Sequence, residues 1–268
     1  MATNKEFFRR VVRLLLDPRR LSPAIKRRLW LRSLSKNILT ELFSDDTEYE
    51  TYKQELLNSG LLEELDKRLQ EFNDVSGKTN RGDKFANGVM STDEGFALYA
   101  LTRKLKPEKI VETGVCNGYS SALILQALHQ NQTGQLYSID FPEVAGATYE
   151  AGVFWDGKGG AVIPPDKSSG WIIPERLLDK WELRQGKSQD LLPPLLDELK
   201  TIDIFIHDSE HSYECMMFEY MTAYPFIRQN GLLVSDDILW NKAFFDFAKK
   251  HHRKAGQISG SMGVIVKQ

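Results

Sequence analysis

The chain has 268 residues, 41% of them apolar and 27% charged, with 19 glycines, 10 prolines and 2 cysteines. That balance excludes a collagenous, disordered or disulfide-scaffolded chain and fits one large α/β domain with an extension. The formal charge of −2 argues against a nucleic-acid partner. The total conceals an asymmetry: residues 1–44 carry 11 Lys and Arg against 3 Asp and Glu, and the remainder carries 24 against 34. A basic arm precedes an acidic body.

Cys116 and Cys215 stand too far apart in sequence to form a metal-ligand pair, and two free thiols predict a reducing cytoplasm. No run approaches the roughly 18 apolar residues of a membrane span. Arg9, Arg10 and Arg13 interrupt the first apolar stretch, against a secretory signal, while the Arg-rich, acid-poor start leaves a transit peptide open.

In chain order, Phe7, Phe8, Val11, Val12 and Leu15 repeat at helical spacing until Pro18. Ser22-Pro23 forms the cap and first turn of the next helix, whose stripe is Leu31, Leu34, Ile38 and Leu42. Two readings of this arm stay open. It is a basic amphipathic helix resting peripherally on an anionic membrane, or a pair of helices that cover the body or join a second subunit in a homo-oligomer. A third helical region runs from about Asp46 to Phe72, broken at Ser59-Gly60, and residues 73–90 read as a loop. The basic helical extension and linker therefore occupy 1–90 and the main domain 91–268. That domain opens where Ser91 and Glu94 have capping-box spacing ahead of a helix that Pro107 stops.

From Lys109 the pattern changes. KIVET, QLYSID, WELRQG, IDIFIHD and GLLVSDD read as five short apolar strands, separated by helical segments such as SSALILQAL, PPLLDELK and YECMMFEYMTAY. Alternating strands and helices predict an α/β fold, a mostly parallel sheet with helices on both faces. Ligands of such sheets sit at the C-terminal strand ends near the switch point. The polar residues just after each strand are therefore the candidates: Glu112, Asp140, Ser188 with Gln189, Asp208, and Asp236 with Asp237.

Gly114 and Gly118 follow the first strand in G-x-x-x-G spacing, so the dinucleotide fingerprint G-x-G-x-x-G is not met. An acid two residues ahead of the first glycine, Glu112, resembles instead motif I of class I S-adenosylmethionine (SAM) methyltransferases. Asp140 ends the second strand, where a carboxylate can accept both ribose hydroxyls. GKSQDLLPPLLDEL, HDSEHSY and LLVSDDI resemble catechol O-methyltransferase and its bacterial relatives. The D-S-x-H-S form also resembles the cephalosporin-hydroxylase-like and macrocin-type O-methyltransferases. W-I-I-P and S-D-D resemble the broad family 24 set of bacterial methyltransferases. The resemblance covers roughly Asn87 to Val266 and leaves out the arm.

This resemblance implies a Rossmann-like seven-stranded sheet, with Gly263–Lys267 as a closing antiparallel edge strand, and a SAM-dependent O-methyltransferase. Glu112, Gly114, Gly118 and Ser120 would line the methionine part of SAM. Asp140 would hold the ribose, Ser188 and Gln189 the adenine. Asp208, counted with the cofactor set as well, would join Asp236 and Asp237 in binding a divalent cation. Three carboxylates suit Mg²⁺, Mn²⁺ or Ca²⁺. His211 falls where the catechol enzyme carries its lysine base, and an imidazole near its ordinary pKa is poised to take a proton at neutral pH.

The acceptor would be a hydroxyl of a small molecule, sugar or glycolipid. Trp240 and Asn241 are positioned to touch it, and the Gly-rich insertion from Pro142 to Trp171, with Tyr149, Phe154, Trp155 and Trp171, suits either a lid over it or a surface loop that packs its own aromatics. Two other readings stay open, a non-catalytic SAM-binding or interaction module and a metal-dependent hydroxylase-like enzyme. His251-His252 reads as a solvated helix end.

Overall fold

The structure is a computed structural model, and it describes residues 25, 30–32, 34, 38–43, 45–76, 90–144, 162–251 and 255–268. The helix expected over residues 7–15, the Ser22-Pro23 start and most of the insertion, including Tyr149, Phe154 and Trp155, lie outside the described residues.

The strands are β1 (Lys109–Thr113), β2 (Gln135–Asp140), the two-residue β3 (Glu143–Val144) and β4 (Val162–Ile163), β5 (Trp181–Gln185), β6 (Ile202–His207), β7 (Ile227–Ser235), β8 (Ala255–Ser259) and β9 (Met262–Val266). The helices are α1 (Ile38–Leu42), α2 (Asp46–Asn58), α3 (Leu61–Ser76), α4 (Thr92–Leu105), α5 (Tyr119–Asn131), α6 (Ser188–Leu199), α7 (Tyr213–Ala223) and α8 (Ala243–Lys250). The main sheet has seven strands in the order β5-β2-β1-β6-β7-β9-β8, and β3 pairs with β4 apart from it. Strands β5 to β7 of that order run parallel, while β9 is antiparallel to both β7 and β8. This is the Rossmann-like, mostly parallel sheet the alternation predicts. The closing edge is β8, however, and Gly263–Lys267 lies one strand inward. Its sequence AGQIS lacks the apolar run of the central strands, so the pattern gave no sign of it.

Alternation along each strand divides the core. Ile110, Ile204, Ile206, Leu232, Val234 and Val264 face one layer; Val111, Phe205, Leu233 and Ile265 face the other. The first layer is closed by α4 and α5, the second by α6, α7 and α8, whose Leu195, Tyr220, Phe244 and Phe247 are fully buried. Helices thus cover both faces, as a parallel sheet requires.

The α2–α3 pair is fastened to the first layer. Leu56, Leu61 and Leu65 are fully buried in that core, and the Glu55 carboxylate accepts from Arg103 Nε at 2.6 Å and from the Tyr99 hydroxyl. Lys104 reaches Glu48 at 2.7 Å. Of the expected stripe, Leu34 and Ile38 are buried, and Ile38 sits directly over Gly256 of β8. Helix α3 runs past Phe72 to Ser76, because Gly77 is the first strong breaker after Gly60. Helix α4 begins at the capping box of Ser91 and Glu94 and ends at Lys106 in left-handed backbone. Among the described residues no helix is long and apolar enough to cross a membrane.

Candidate functional site

The sheet order reverses between β1 and β6, so the crevice that such a switch opens lies above the ends of these two strands. Register sets what stands there. Ile139, Thr113, His207 and Ser235 are cross-strand partners in one row across β2, β1, β6 and β7. The next residue of each strand therefore forms a second row: Asp140, Gly114, Asp208 and Asp236. Four positions spread over more than a hundred residues of sequence become neighbours.

Gly114 (φ 89°) and Gly118 (φ 98°) both adopt left-handed backbone. A side chain on Gly114 would overlap the Asp208 carbonyl, and one on Gly118 would meet Gly170 and Ile173. Below the turn, Glu112 is fully buried. It accepts hydroxyl hydrogen bonds from Ser120 at 2.7 Å, Ser121 at 2.6 Å and Ser138 at 2.8 Å. Its side chain faces three hydroxyls rather than open space, bracing β1, β2 and the start of α5, and Ser120 spends its hydroxyl on it. Burial pushes the Glu112 carboxyl up against the pull of the three serines. Asp140 is 7% exposed and accepts from the amides of Val115 (3.1 Å) and Cys116 (3.2 Å), which ties the β2 end to the glycine turn. Its carboxyl is also pushed up, chiefly by burial.

Ser188 and Gln189 start α6, and Gln189 lines a cleft of about 420 Å³ with Glu210, Ser212, Cys215 and Phe218. Gln189 Nε2 lies 3.5 Å from Cys215 Sγ.

The second half of the site is a cluster. One side-chain donor atom from each of Asp208, His211 and Asp236 lies within 4.8 Å of the others. His211 Nε2 stands 3.7 Å from Asp208 Oδ1 and is buried without a hydrogen-bond partner. Asn241 Nδ2 donates to the His211 carbonyl at 2.9 Å, and the imidazole lies between the rings of His207 (5.3 Å) and Trp240 (6.3 Å). Burial, then the neighbouring His207, lowers the His211 pKa to about 3. That desolvation works against the expected base poised near neutrality. Asp237 departs from expectation as well. It adopts left-handed backbone (φ 48°), its carbonyl accepts from the Trp240 amide at 2.8 Å, and it stands outside the three-residue cluster.

The carboxyls of the cluster resist ionisation together. Burial, then Asp237 and Glu94, raises Asp236 to about 6, and burial, then Asp236 and Glu112, pushes Asp208 well above the usual carboxylate range. The folded pKa of Asp236 exceeds its ordinary 3.8, so ionisation costs stability above about pH 6 and none below about pH 4. In chelator, Asp236→Asn should therefore melt above the wild type at pH 7–8, with the difference vanishing toward pH 4. A difference that grows on acidification would contradict this sign. Two acids and an unpartnered imidazole nitrogen form a donor set that fits a divalent cation, which would relieve the mutual repulsion.

Sequence reading missed the support beneath this cluster. Glu219 of α7 is fully buried and holds Thr113 Oγ1 (2.6 Å), His207 Nδ1 (2.6 Å) and Ser209 Oγ (2.7 Å). Burial pushes its carboxyl up, but His207 and the hydroxyls outweigh this and hold it below the usual range. The one signal was a glutamate on a helix among Cys215, Met216, Tyr220 and Ala223, all buried. Asn117 was missed too. It accepts from Trp171 Nε1 and donates to the Val162 carbonyl at 3.1 Å, so the C-terminal end of the insertion is bolted to the glycine turn. Trp240 is 64% exposed beside the cluster. His251 caps the end of α8 as expected but is half-buried, packing on Phe247 at 4.4 Å, and His252 lies outside the described residues.

Comparison with known proteins agrees with this geometry. Residues 111–238 match a family model described as a methyltransferase domain. No curated protein sequence matches the chain. Among solved structures, a candidate caffeoyl-CoA O-methyltransferase from Staphylococcus aureus is similar, with 12% identity and a TM-score of 0.51 over 84% of this chain and 100% of that one. An S-adenosylhomocysteine (SAH)-bound methyltransferase from Podospora anserina has 12% identity and a TM-score of 0.50, over 78% of this chain and 88% of that one. The matched segment holds the glycine turn, Asp140 and the whole Asp208–His211–Asp236 cluster, and it lies on the Rossmann-like sheet.

Proposed function

We propose that this domain is a SAM-dependent O-methyltransferase acting on a hydroxyl of a small molecule or saccharide, in a reducing cytoplasm, with a divalent cation assisting. The observation that carries the reading is the strand-end row of Asp140, Gly114, Asp208 and Asp236, one for each of four neighbouring strands. The family match over residues 111–238 and the SAH-bound fold relative support the same reading.

Bound SAM would supply a sulfonium methyl group as electrophile: the acceptor hydroxyl, acidified beside the cation, would release its proton to solvent, and its oxygen would bond to the methyl carbon as the S–C bond breaks, leaving SAH. This chain's residues bind and orient. Asp140 accepts the ribose hydroxyls with a carboxylate already aimed by two backbone amides. The glycine turn lets the backbone come close to the cofactor at Gly114 and Gly118. Ser188 and Gln189 meet the adenine at the start of α6, where Gln189 lines the cleft with Cys215 and Phe218. Asp208 and Asp236 would hold the cation, which would supply a Lewis acid for the acceptor hydroxyl. Trp240, exposed beside His211, flanks the acceptor. In-line geometry then favours displacement at the methyl carbon.

Calorimetry with SAM and SAH tests this. Wild type should bind both, and Asp140→Ala should weaken binding by about 10- to 100-fold, the loss of charge-assisted hydrogen bonds to the ribose. Binding of NAD in place of SAM would overturn the reading.

A further inference from the structure

We propose that His211 is a metal ligand rather than a proton acceptor, so that the Asp208–His211–Asp236 cluster takes a first-row transition ion in preference to Mg²⁺ or Ca²⁺. This deepens the function proposed above and rests on it only for the ion's place beside the acceptor.

The geometry has three parts. Donor atoms from two adjacent strand ends and the turn after β6 converge within 4.8 Å. The His211 Nε2 nitrogen is buried and unpartnered although a carboxylate oxygen is near. Its 3.7 Å separation from Asp208 Oδ1 is too long for a hydrogen bond. Two ligands that each stand about 2.1 Å from a shared ion lie roughly 3–4 Å apart, so that separation suits joint coordination.

The imidazole is also held for the task. Asn241 fixes the His211 backbone carbonyl, and His207 and Trp240 flank the ring. Ser209, between the two ligands of the turn, is anchored on Glu219 at 2.7 Å. Asp237 stands outside the convergence, so the donor set is two carboxylates and one imidazole. A nitrogen ligand shifts preference away from the hard ions, which favour all-oxygen sites, toward Zn²⁺, Fe²⁺ and their neighbours.

The test uses the full chain, stripped with a chelator and reloaded with Mn²⁺. Pulsed electron paramagnetic resonance should show modulation from a directly bonded imidazole nitrogen, and His211→Asn should abolish it. Calorimetry should give Zn²⁺ an affinity roughly tenfold or more above that of Mg²⁺, with the gap narrowing in His211→Asn. Bound Mn²⁺ without nitrogen modulation overturns the proposal, as does equal affinity for Zn²⁺ and Mg²⁺ or binding of neither. SAH titrations on the same samples keep the two readings apart. SAH binding without the nitrogen signal defeats the ligand assignment alone, whereas a nitrogen signal without SAH binding supports the assignment and defeats the function.

Discussion

Gly114→Ala is expected to remove SAH binding and methyl transfer to below detection and to lower the melting temperature. The residue sits at φ 89°, which a side chain disfavours by about 1–2 kcal/mol. The larger cost is steric, since the new Cβ would overlap the Asp208 carbonyl and crowd the Ser209 amide. Neither side can retreat. The Gly114 amide is bound to the Ile139 carbonyl at 2.9 Å, and the Asp208 amide to the Thr113 carbonyl at 2.8 Å. Relief would have to separate the ends of β1 and β6, which is where the glycine turn and the Asp208–His211–Asp236 cluster meet. Calorimetry with SAH and a thermal melt check this, and a variant that binds SAH with wild-type affinity would sink the argument.

Glu219→Ala should destabilise the chain by about 3–5 kcal/mol, because it strips several buried hydrogen-bonding groups of their partner at about 1–3 kcal/mol each. Glu219 and His207 are both fully buried, and the carboxylate also satisfies Thr113 and Ser209. Alanine would leave the His207 Nδ1 unpaired in addition to its Nε2, which already lacks a partner. Glu219→Gln retains an acceptor and should cost clearly less. Urea unfolding of the two variants measures the difference. Near-wild-type stability of Glu219→Ala would show that this network carries no weight.

These two variants mark where sequence reading succeeded and where it stopped. Gly114 was legible because a glycine after an apolar strand and before a helix marks a tight turn, and an acid two residues earlier tied it to a family motif. Asp140, Asp208 and Asp236 were legible for a related reason: each follows a short apolar run, and strand ends of a parallel sheet are where ligands collect. Glu219 was not. It lies mid-helix, and its partners Thr113, His207 and Ser209 belong to other elements.

The same limit explains the departures at the cluster. Asp237 reads as a ligand beside Asp236, but its left-handed backbone turns the chain at that residue. His211 reads as a base of ordinary pKa, but packing against His207 and Trp240 removes the water that would stabilise its charge. Neither backbone turn nor desolvation is a property of a motif.

By itself, the sequence determined the alternation of strands and helices, the glycine turn, the capping box at Ser91 and the strand-end acids, because local periodicity and steric demand are written residue by residue. Tertiary structure decided the strand order, the place of β9 inside β8, the row of Asp140, Gly114, Asp208 and Asp236, and the grouping of His211 with two of the three expected carboxylates. Those depend on which elements become neighbours and how much water they exclude, and both arise only when distant segments pack together.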